Sequence, residues 1–256
     1  MVIDIHSHIV WGLDDGPAGA EESIAMLDSA RASGTTDIVA TPHSSPQYAY
    51  QADLLQQRIA ELADRTGHRP RIHRGCEFHL SFDNLEDLVR QPARYTINGK
   101  QYLLVEFASA QIGKHGDKVL ERLLQAGLTP VIAHPERNQV LRRSLDRVEG
   151  WVDLGCLMQV TALSITGGFG RSAQSASTRL LERGLVHVVA SDAHDVTHRP
   201  PGLDAAYAAV LSRYGADAAE ILFRDNPRAI IHGDRLPGGR QVVCESAPWW
   251  QVWRVS

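Results

Sequence analysis

The sequence predicts an α/β fold in which seven strand–helix units close into a distorted (β/α)7 barrel. Three observations predict it. Short apolar runs rich in β-branched residues recur along the chain, helical periodicity fills the gaps between them, and histidines and acids gather at the carboxyl ends of the runs. The strands are expected at residues 2–5, 37–40, 71–74, 102–106, 129–133, 157–161 and 186–191. Apolar residues at helical spacing mark the connecting helices: Ile24, Leu27 and Ala30; Leu54, Leu55, Ile59 and Leu62; Val119, Leu120, Leu123 and Leu124. Residues 176–183 form the next helix, with Gly184 as its C-cap, and helices at 203–214 and around 218–223 close the ring.

Bulk properties narrow the function classes. A chain of 256 residues with 43% hydrophobic content can bury a large core. No Pro/Gly/Ser-rich linker and no solenoid repeat divides it, so a single barrel domain over 1–256 is expected, with a tryptophan-rich tail at about 237–256. A formal net charge of -4 argues against a nucleic-acid surface or an anionic-membrane surface, so an anionic substrate needs a local positive site. Cys76, Cys156 and Cys244 are odd in number and lack CxxC spacing, which points away from a disulfide framework or a zinc ribbon. Residues 1–6 run straight into the expected site and leave no room for a signal peptide. No apolar run approaches the roughly 18 residues of a membrane-spanning helix. A cytoplasmic enzyme without direct membrane insertion is the expectation.

The polar residues carry the chemistry. His6 and His8 follow the first strand, His43 the second and Glu77 the third; Glu106 ends the fourth, His134 follows the fifth, and Asp192 and His194 follow the seventh. In βα barrels the active site forms at this carboxyl face, so eight potential ligands scattered in sequence converge in space. The sixth strand offers only Gln159 and Thr161, for hydrogen bonding. A single His-x-His pair is weak evidence; eight such residues sharing one face are strong evidence for metal. Imidazoles mixed with carboxylates suit manganese, iron or zinc, whereas oxygen donors alone would suggest magnesium or calcium. Eight ligands exceed one tetrahedral ion, so two or three divalent ions are expected, with Glu77 and Glu106 as bridges. Such a centre attracts phosphate and supplies a hydroxide for in-line attack on phosphorus. Arg137 and Arg199 each sit beside a ligand motif and can grip phosphate oxygens or offset transition-state charge, though exposed arginines also form ordinary surface ion pairs.

Taken together, His6-Ser7-His8, Asp14-Asp15-Gly16, Thr41-Pro42-His43, Gly75-Cys76-Glu77, Val105-Glu106-Phe107, Ala133-His134-Pro135-Glu136-Arg137 and Ser191-Asp192-Ala193-His194 resemble the polymerase and histidinol phosphatase (PHP) superfamily. Leu13-Asp14-Asp15-Gly16, His134-Pro135-Glu136-Arg137 and Arg199-Pro200-Pro201 resemble its bacterial protein-tyrosine phosphatase branch, over about residues 1 to 235. The resemblance implies a seven-stranded PHP barrel and a trinuclear, often manganese-dependent centre in which iron, zinc or magnesium are alternatives. It implies as substrate a phosphotyrosine protein, the C-terminal tail of a membrane-associated tyrosine autokinase of capsule or exopolysaccharide synthesis. It carries the metal ligands onto His6, His8, His43, Glu77, Glu106, His134, Asp192 and His194, and phosphate binding or catalysis onto Arg137 and Arg199. It also places an acid of the Asp14–Asp15 pair in the site, and Asp15, beside Gly16, is assigned there in a positioning or proton-handling role. Asn138 departs from the many relatives that carry an aromatic residue after the arginine.

An absence agrees with a metal mechanism. Cysteine-dependent tyrosine phosphatases need an arginine six residues after the cysteine, and here those positions hold Phe82, Ala162 and Trp250. The alternatives are a small-molecule phosphoesterase of the same superfamily, acting on histidinol phosphate or nucleotides, and a catalytically dead barrel serving as a binding subunit. The remaining histidines, His68, His73, His79, His115, His187, His198 and His232, read as surface or local hydrogen-bonding residues, with His115 and His198 nearest the active face. Tyr48 and Tyr50 read as loop aromatics or as walls that stack on a phenyl ring. Trp249, Trp250 and Trp253 read as a tail docked on the barrel or as an oligomer contact.

Overall fold

The structure, a computed structural model, describes residues 1–113 and 115–237. Within this range every strand pairing is parallel. β1 (Val2–Ser7) and β2 (Thr35–Ala40) are joined by α1 (Ala20–Ala32). A two-residue strand, β3 (His43–Ser44), continues the line of β2 beyond Thr41 and Pro42, and α2 (Ala52–Thr66) leads on to β4 (Arg71–Arg74). β5 (Glu77–His79) likewise continues β4 beyond Gly75 and Cys76. After α3 (Phe82–Arg90) and α4 (Pro92–Tyr95) come β6 (Tyr102–Glu106), α5 (Gly116–Gln125), β7 (Thr129–Ala133), α6 (Leu145–Leu154) and β8 (Leu157–Thr161). The last unit holds α7 (Ala162–Thr166), α8 (Gly170–Glu182), β9 (Val188–Ala190), α9 (Asp204–Tyr214), α10 (Ala216–Glu220) and α11 (Asn226–His232), with a π-helical turn at Ile221–Asp225.

The strand order is β1-β2-β4 in one sheet and β3-β5-β6-β7-β8-β9 in the other. The two sheets are one wall split where the second and third strands break. Across the breaks Gly75 N donates to Ala40 O (2.9 Å) and Glu77 N to Pro42 O (3.1 Å), so the ladder continues. The ring closes between β1 and the end of β9: Asp192 N donates to His6 O and His8 N to Ala193 O, both at 2.8 Å, around a parallel bridge from Ser7 to Ala193. Asp4 is fully buried at this seam, accepting from Ser191 Oγ (2.5 Å) and Ser191 N (3.1 Å).

Two apolar layers result from strand alternation. Ile3, Ile5, Val39, Leu104, Val131 and Val188 fill the barrel interior, together with Ile230 and Ile231 of α11. Leu103, Val105, Ile132, Met158, Val160 and Val189 face outward against the helices. β1 departs from strict alternation: its register on β2 shifts between Asp4 and Ser7. That irregularity lets His6 face the interior on the same side as Ile5, which an uninterrupted period of two forbids.

The seven expected strands are present, four of them with the expected bounds. The last is shorter than expected, covering Val188–Ala190, and β3 and β5 were not foreseen because two or three residues carry no periodicity. α3, α4, α6, α7 and α11 were also unforeseen; α6 buries Leu145, Val148, Trp151 and Val152 on one face. Gly184, at φ +65°, follows the C-cap of α8 as expected of a left-handed terminator. No described helix is long and apolar enough to cross a membrane. Cys76 and Cys156 are buried free thiols. The tryptophan-rich tail beyond Pro237, with Cys244, lies outside the described residues.

Candidate metal centre

All eight residues expected at the carboxyl face meet there. His6 and His8 leave β1, His43 opens β3, Glu77 opens β5, Glu106 ends β6, His134 follows β7, and Asp192 and His194 follow β9. Glu77 is buried at the centre: its Oε1 lies 2.9 Å from His134 Nε2 and 3.3 Å from His6 Nε2, and its Oε2 3.0 Å from His43 Nδ1 and 3.2 Å from His8 Nε2. Asp192 Oδ1 lies 3.3 Å from His6 Nε2. Among the described residues, three groups of side chains offer converging donor atoms: His8, Asp15, His43 and His194; His6, His8, Glu77 and Asp192; His43, Glu77 and Glu106. Glu77 belongs to two of them, as a bridging ligand would, and Glu106 to one.

The backbone at the site is strained. His134, the first residue beyond β7, and Asp192, the second beyond β9, hold φ values of +34° and +54°. Non-glycine residues pay about 1–3 kcal/mol for such conformations, which persist where the surroundings impose them and cluster at functional sites.

Hydrogen bonds from behind orient the imidazoles. His6 Nδ1–H donates to Gln159 Oε1 at 2.9 Å, leaving Nε2 for the cluster. His8 Nδ1–H donates to Asp14 Oδ2 at 2.6 Å, and His194 Nδ1–H to Asp192 O at 3.0 Å, with the same result. This is the arrangement metal-ligating histidines adopt. Asp14 also accepts from the backbone N–H groups of His43 and Gly16, both at 3.0 Å. Asp14 therefore takes the positioning part expected of Asp15. Asp15 faces the cluster, 3.4 Å from both His43 Nε2 and His194 Nε2. Gly16 makes this loop feasible, because a Cβ there would stand 2.3 Å from His8 O.

The charges are those of a site that needs cations. Burial works against protonation of His8 and His43, but Asp14 and Glu77 outweigh it at His8 and hold its pKa up at about 9, and Asp15 and Glu77 hold that of His43 at about 11. Burial would raise Glu77 and Asp192, yet the surrounding histidines, with Arg137 beside Asp192, bring both below the usual carboxylate range. Glu106 is raised, by burial and by the negative charge of Glu77. Buried His43 Nδ1, Glu77 Oε2 and His194 Nε2 are without a hydrogen bond. Unsatisfied nitrogen and carboxylate donors crowded against one another fit divalent metal ions, which would replace the shared protons.

At the rim, Arg137 and Arg199 both donate to Asp192 Oδ2, Arg199 Nη2 at 2.6 Å. They come from different loops, after β7 and β9. Buried Glu136 holds the first loop by accepting from Thr161 N (3.0 Å) and Ser164 Oγ (2.7 Å). Asn138 ties that loop down, accepting from Val140 N and Leu141 N and donating to Ala108 O. Glu106, Phe107, His134, Arg137 and Asn138 line a cavity of about 170 Å³ beside the cluster. Of the loop aromatics, Tyr48 stacks on His43 at a ring separation of 5.8 Å, but Tyr50 is core: its hydroxyl donates to Gly75 O and its ring packs on Tyr95. Glu136 and Phe169 were missed by sequence reasoning. Glu136 lies within a motif read for its flanking residues, and Phe169 stands out only by its glycine-rich setting, Gly167-Gly168-Phe169-Gly170.

Buried histidines and carboxylates gathered at the carboxyl end of a parallel α/β barrel define the metal-dependent hydrolase class. Within it, the chain belongs to the CpsB/CapC family of capsular polysaccharide synthesis, whose model matches residues 2–232. It is 38% identical over 241 residues, 90% of this chain and 98% of the relative, to the tyrosine-protein phosphatase CpsB of Streptococcus pneumoniae. A crystal structure from work on YwqE of Bacillus subtilis and CpsB of Streptococcus pneumoniae, described as unique metal-dependent tyrosine phosphatases, matches with a TM-score of 0.85 and 30% identity, covering 93% of this chain and 97% of that one. The phosphotriesterase homology protein of Escherichia coli shares the fold, with a TM-score of 0.61 at 12% identity over 90% of this chain and 98% of that one.

Proposed function

We propose that this protein is a metal-dependent tyrosine-protein phosphatase, hydrolysing phosphotyrosine on the C-terminal tail of a membrane-associated tyrosine autokinase in capsule or exopolysaccharide synthesis, and acting in the cytoplasm. The observation that carries the phosphate chemistry is the pair Arg137 and Arg199, converging from two loops at the mouth of the histidine–carboxylate cluster. Its similarity to CpsB, and to solved structures described as metal-dependent tyrosine phosphatases, supports the phosphotyrosine assignment.

His6, His8, His43, Glu77, Glu106, His134, Asp192 and His194, with Asp15, are the proposed ligands of two or three divalent ions. Manganese is the proposed metal, because mixed imidazole and carboxylate donors suit it. When bound, the ions would supply Lewis-acid polarisation of the phosphate and acidify a water. The chain's own residues do the rest. Arg137 and Arg199 offer planar guanidinium forks that match phosphate oxygens and oppose the charge that builds as the ester bond breaks. Gln159, Asp14 and the Asp192 carbonyl hold three imidazoles in fixed tautomers, so the site is formed before substrate arrives.

The test is a panel: purified protein with manganese, assayed on a phosphotyrosine peptide, a phosphoserine peptide, histidinol phosphate and nucleotides, alongside metal analysis. Preference for the phosphotyrosine peptide is expected. Faster turnover of histidinol phosphate or nucleotides would make the chain a small-molecule phosphoesterase, and unchanged rates in His6→Ala and His134→Ala would remove the metal-site assignment.

A further inference from the structure

Phe169 stands on the loop after β8, the strand expected to contribute only hydrogen bonds. Gly167 and Gly170 flank it at φ +91° and +82°, and α7 ends and α8 begins around it. These left-handed conformations, which side chains resist, turn the chain sharply enough to carry one aromatic ring to the rim of the site. The guanidinium carbon of Arg137 lies 4.4 Å from the ring centroid and that of Arg199 5.8 Å. The two arginines thus share an anion, Asp192, and an aromatic neighbour, Phe169.

We infer that Phe169 is a positioning residue for the phosphate-binding arginines; the inference rests on the phosphatase reading of this site. Two guanidinium groups against one carboxylate carry an excess positive charge, and their mutual repulsion favours splaying into solvent. The negative face of an aromatic ring attracts each cation without competing for its N–H donors, which lie in the guanidinium plane. A carboxylate in the same place would use those donors and neutralise the charge that phosphate needs. Arg199 Nε is buried without a hydrogen-bond partner, so this guanidinium retains a free donor beside the ring. The ring therefore limits the rotamers of two long side chains and reduces the entropy lost when phosphate binds.

The experiment uses the full chain loaded with manganese, and inorganic phosphate as the probe in calorimetry, with phosphotyrosine-peptide kinetics beside it. Phe169→Leu keeps apolar bulk and removes the quadrupole. It is expected to weaken phosphate binding about tenfold and lower kcat/KM by about 10- to 100-fold, as for loss of two partly desolvated cation–π contacts, with metal content and melting temperature unchanged. Phe169→Tyr should restore binding to within about threefold, because the ring remains. Arg137→Lys should cost less in the Phe169→Leu background than alone, as coupled residues do. Should Phe169→Leu melt early, Phe169→Met replaces it. Wild-type phosphate affinity in the Leu or Met variant, no rescue by Tyr, or additive losses with Arg137→Lys would each overturn the inference. If wild-type protein ignores the phosphotyrosine peptide while phosphate binding still depends on the ring, the substrate reading fails and the role of Phe169 stands.

Discussion

Asp14→Asn separates the groups that hold the cluster from those that belong to it. The carboxylate satisfies three donors with two oxygens: Oδ2 accepts from His8 Nδ1 (2.6 Å) and His43 N (3.0 Å), and Oδ1 from Gly16 N (3.0 Å). An amide has one acceptor oxygen. Turned toward His8 it sets an NH2 against Gly16 N–H; turned the other way it sets that NH2 against both His8 and His43. At least one buried donor loses its partner in either orientation, and the negative charge behind His8 is gone in both. A hydrogen bond to a charged group is worth about 1.5–3 kcal/mol, which corresponds to about 10- to 100-fold in metal affinity, the range seen when partners behind metal ligands are removed. The assay is calorimetric manganese titration, with activity measured against manganese concentration. Asp14→Asn should shift the activation curve to higher manganese and regain most of its rate at saturation. Asp15→Asn, which alters a group facing His43 and His194, should lose rate that added manganese does not restore. A metal affinity within twofold of wild type in a folded Asp14→Asn protein would refute the reasoning.

Other perturbations test other parts of the molecule. Arg137→Ala and Arg199→Ala should each lower kcat/KM on a phosphotyrosine peptide by about 10²- to 10³-fold, and lysine should not restore either, because it lacks the planar fork; a fully active lysine variant contradicts this. Gly16→Ala puts a Cβ 2.3 Å from His8 O, so the loop must move, at a cost of about 1–3 kcal/mol and with loss of metal affinity; a crystal structure with the loop unmoved would count against it. His187 is buried, accepts from Met158 N through Nδ1, and is lowered by burial to a pKa of about 4. Its folded pKa lies below the unfolded value near 6.5, so the unfolded chain binds more protons between these limits and stability falls as pH drops through that window. The loss reaches about 3 kcal/mol near pH 4. Denaturant titrations from pH 7 to pH 4 should show this slope in wild type and a flatter one in His187→Asn; parallel slopes would exclude His187 as the source.

The fold was legible because its periodicities are long and its punctuation clear. The runs Tyr102 to Glu106 and Thr129 to Ala133 are apolar on both faces, as parallel strands between helices and a barrel interior must be. The site was legible because strand ends in a βα barrel share one face, so chain position alone located eight side chains. What stayed hidden depends on bond direction and backbone irregularity. Asp14 and Asp15 are indistinguishable in sequence, and only the loop's path, set by Gly16 against His8 O, sends one behind His8 and the other toward His43. The bulge in β1 that turns His6 inward leaves no trace in residue types. Tyr50 read as a loop aromatic or a site wall by proximity to His43, yet its hydroxyl reaches Gly75 O in the core.

The electrostatic design follows from the same arrangement. Asp15, Glu77, Glu106 and Asp192 place four carboxylates around five imidazoles, in a chain already negative overall. With the histidines neutral, as metal ligation demands, two divalent ions cancel this charge and three reverse its sign. The local field that a phosphate would meet thus depends on how many ions the cluster holds, and composition alone points the wrong way. Arg137 and Arg199 both donate to Asp192 Oδ2, the oxygen turned away from His6. A carboxylate whose charge is drawn toward a cation is a weaker acceptor, so an ion held at Asp192 Oδ1 would weaken the hold of Oδ2 on both guanidinium groups. Asp192, strained at φ +54° on the seam that closes the barrel, touches both the histidine cluster and the two rim arginines proposed to bind phosphate.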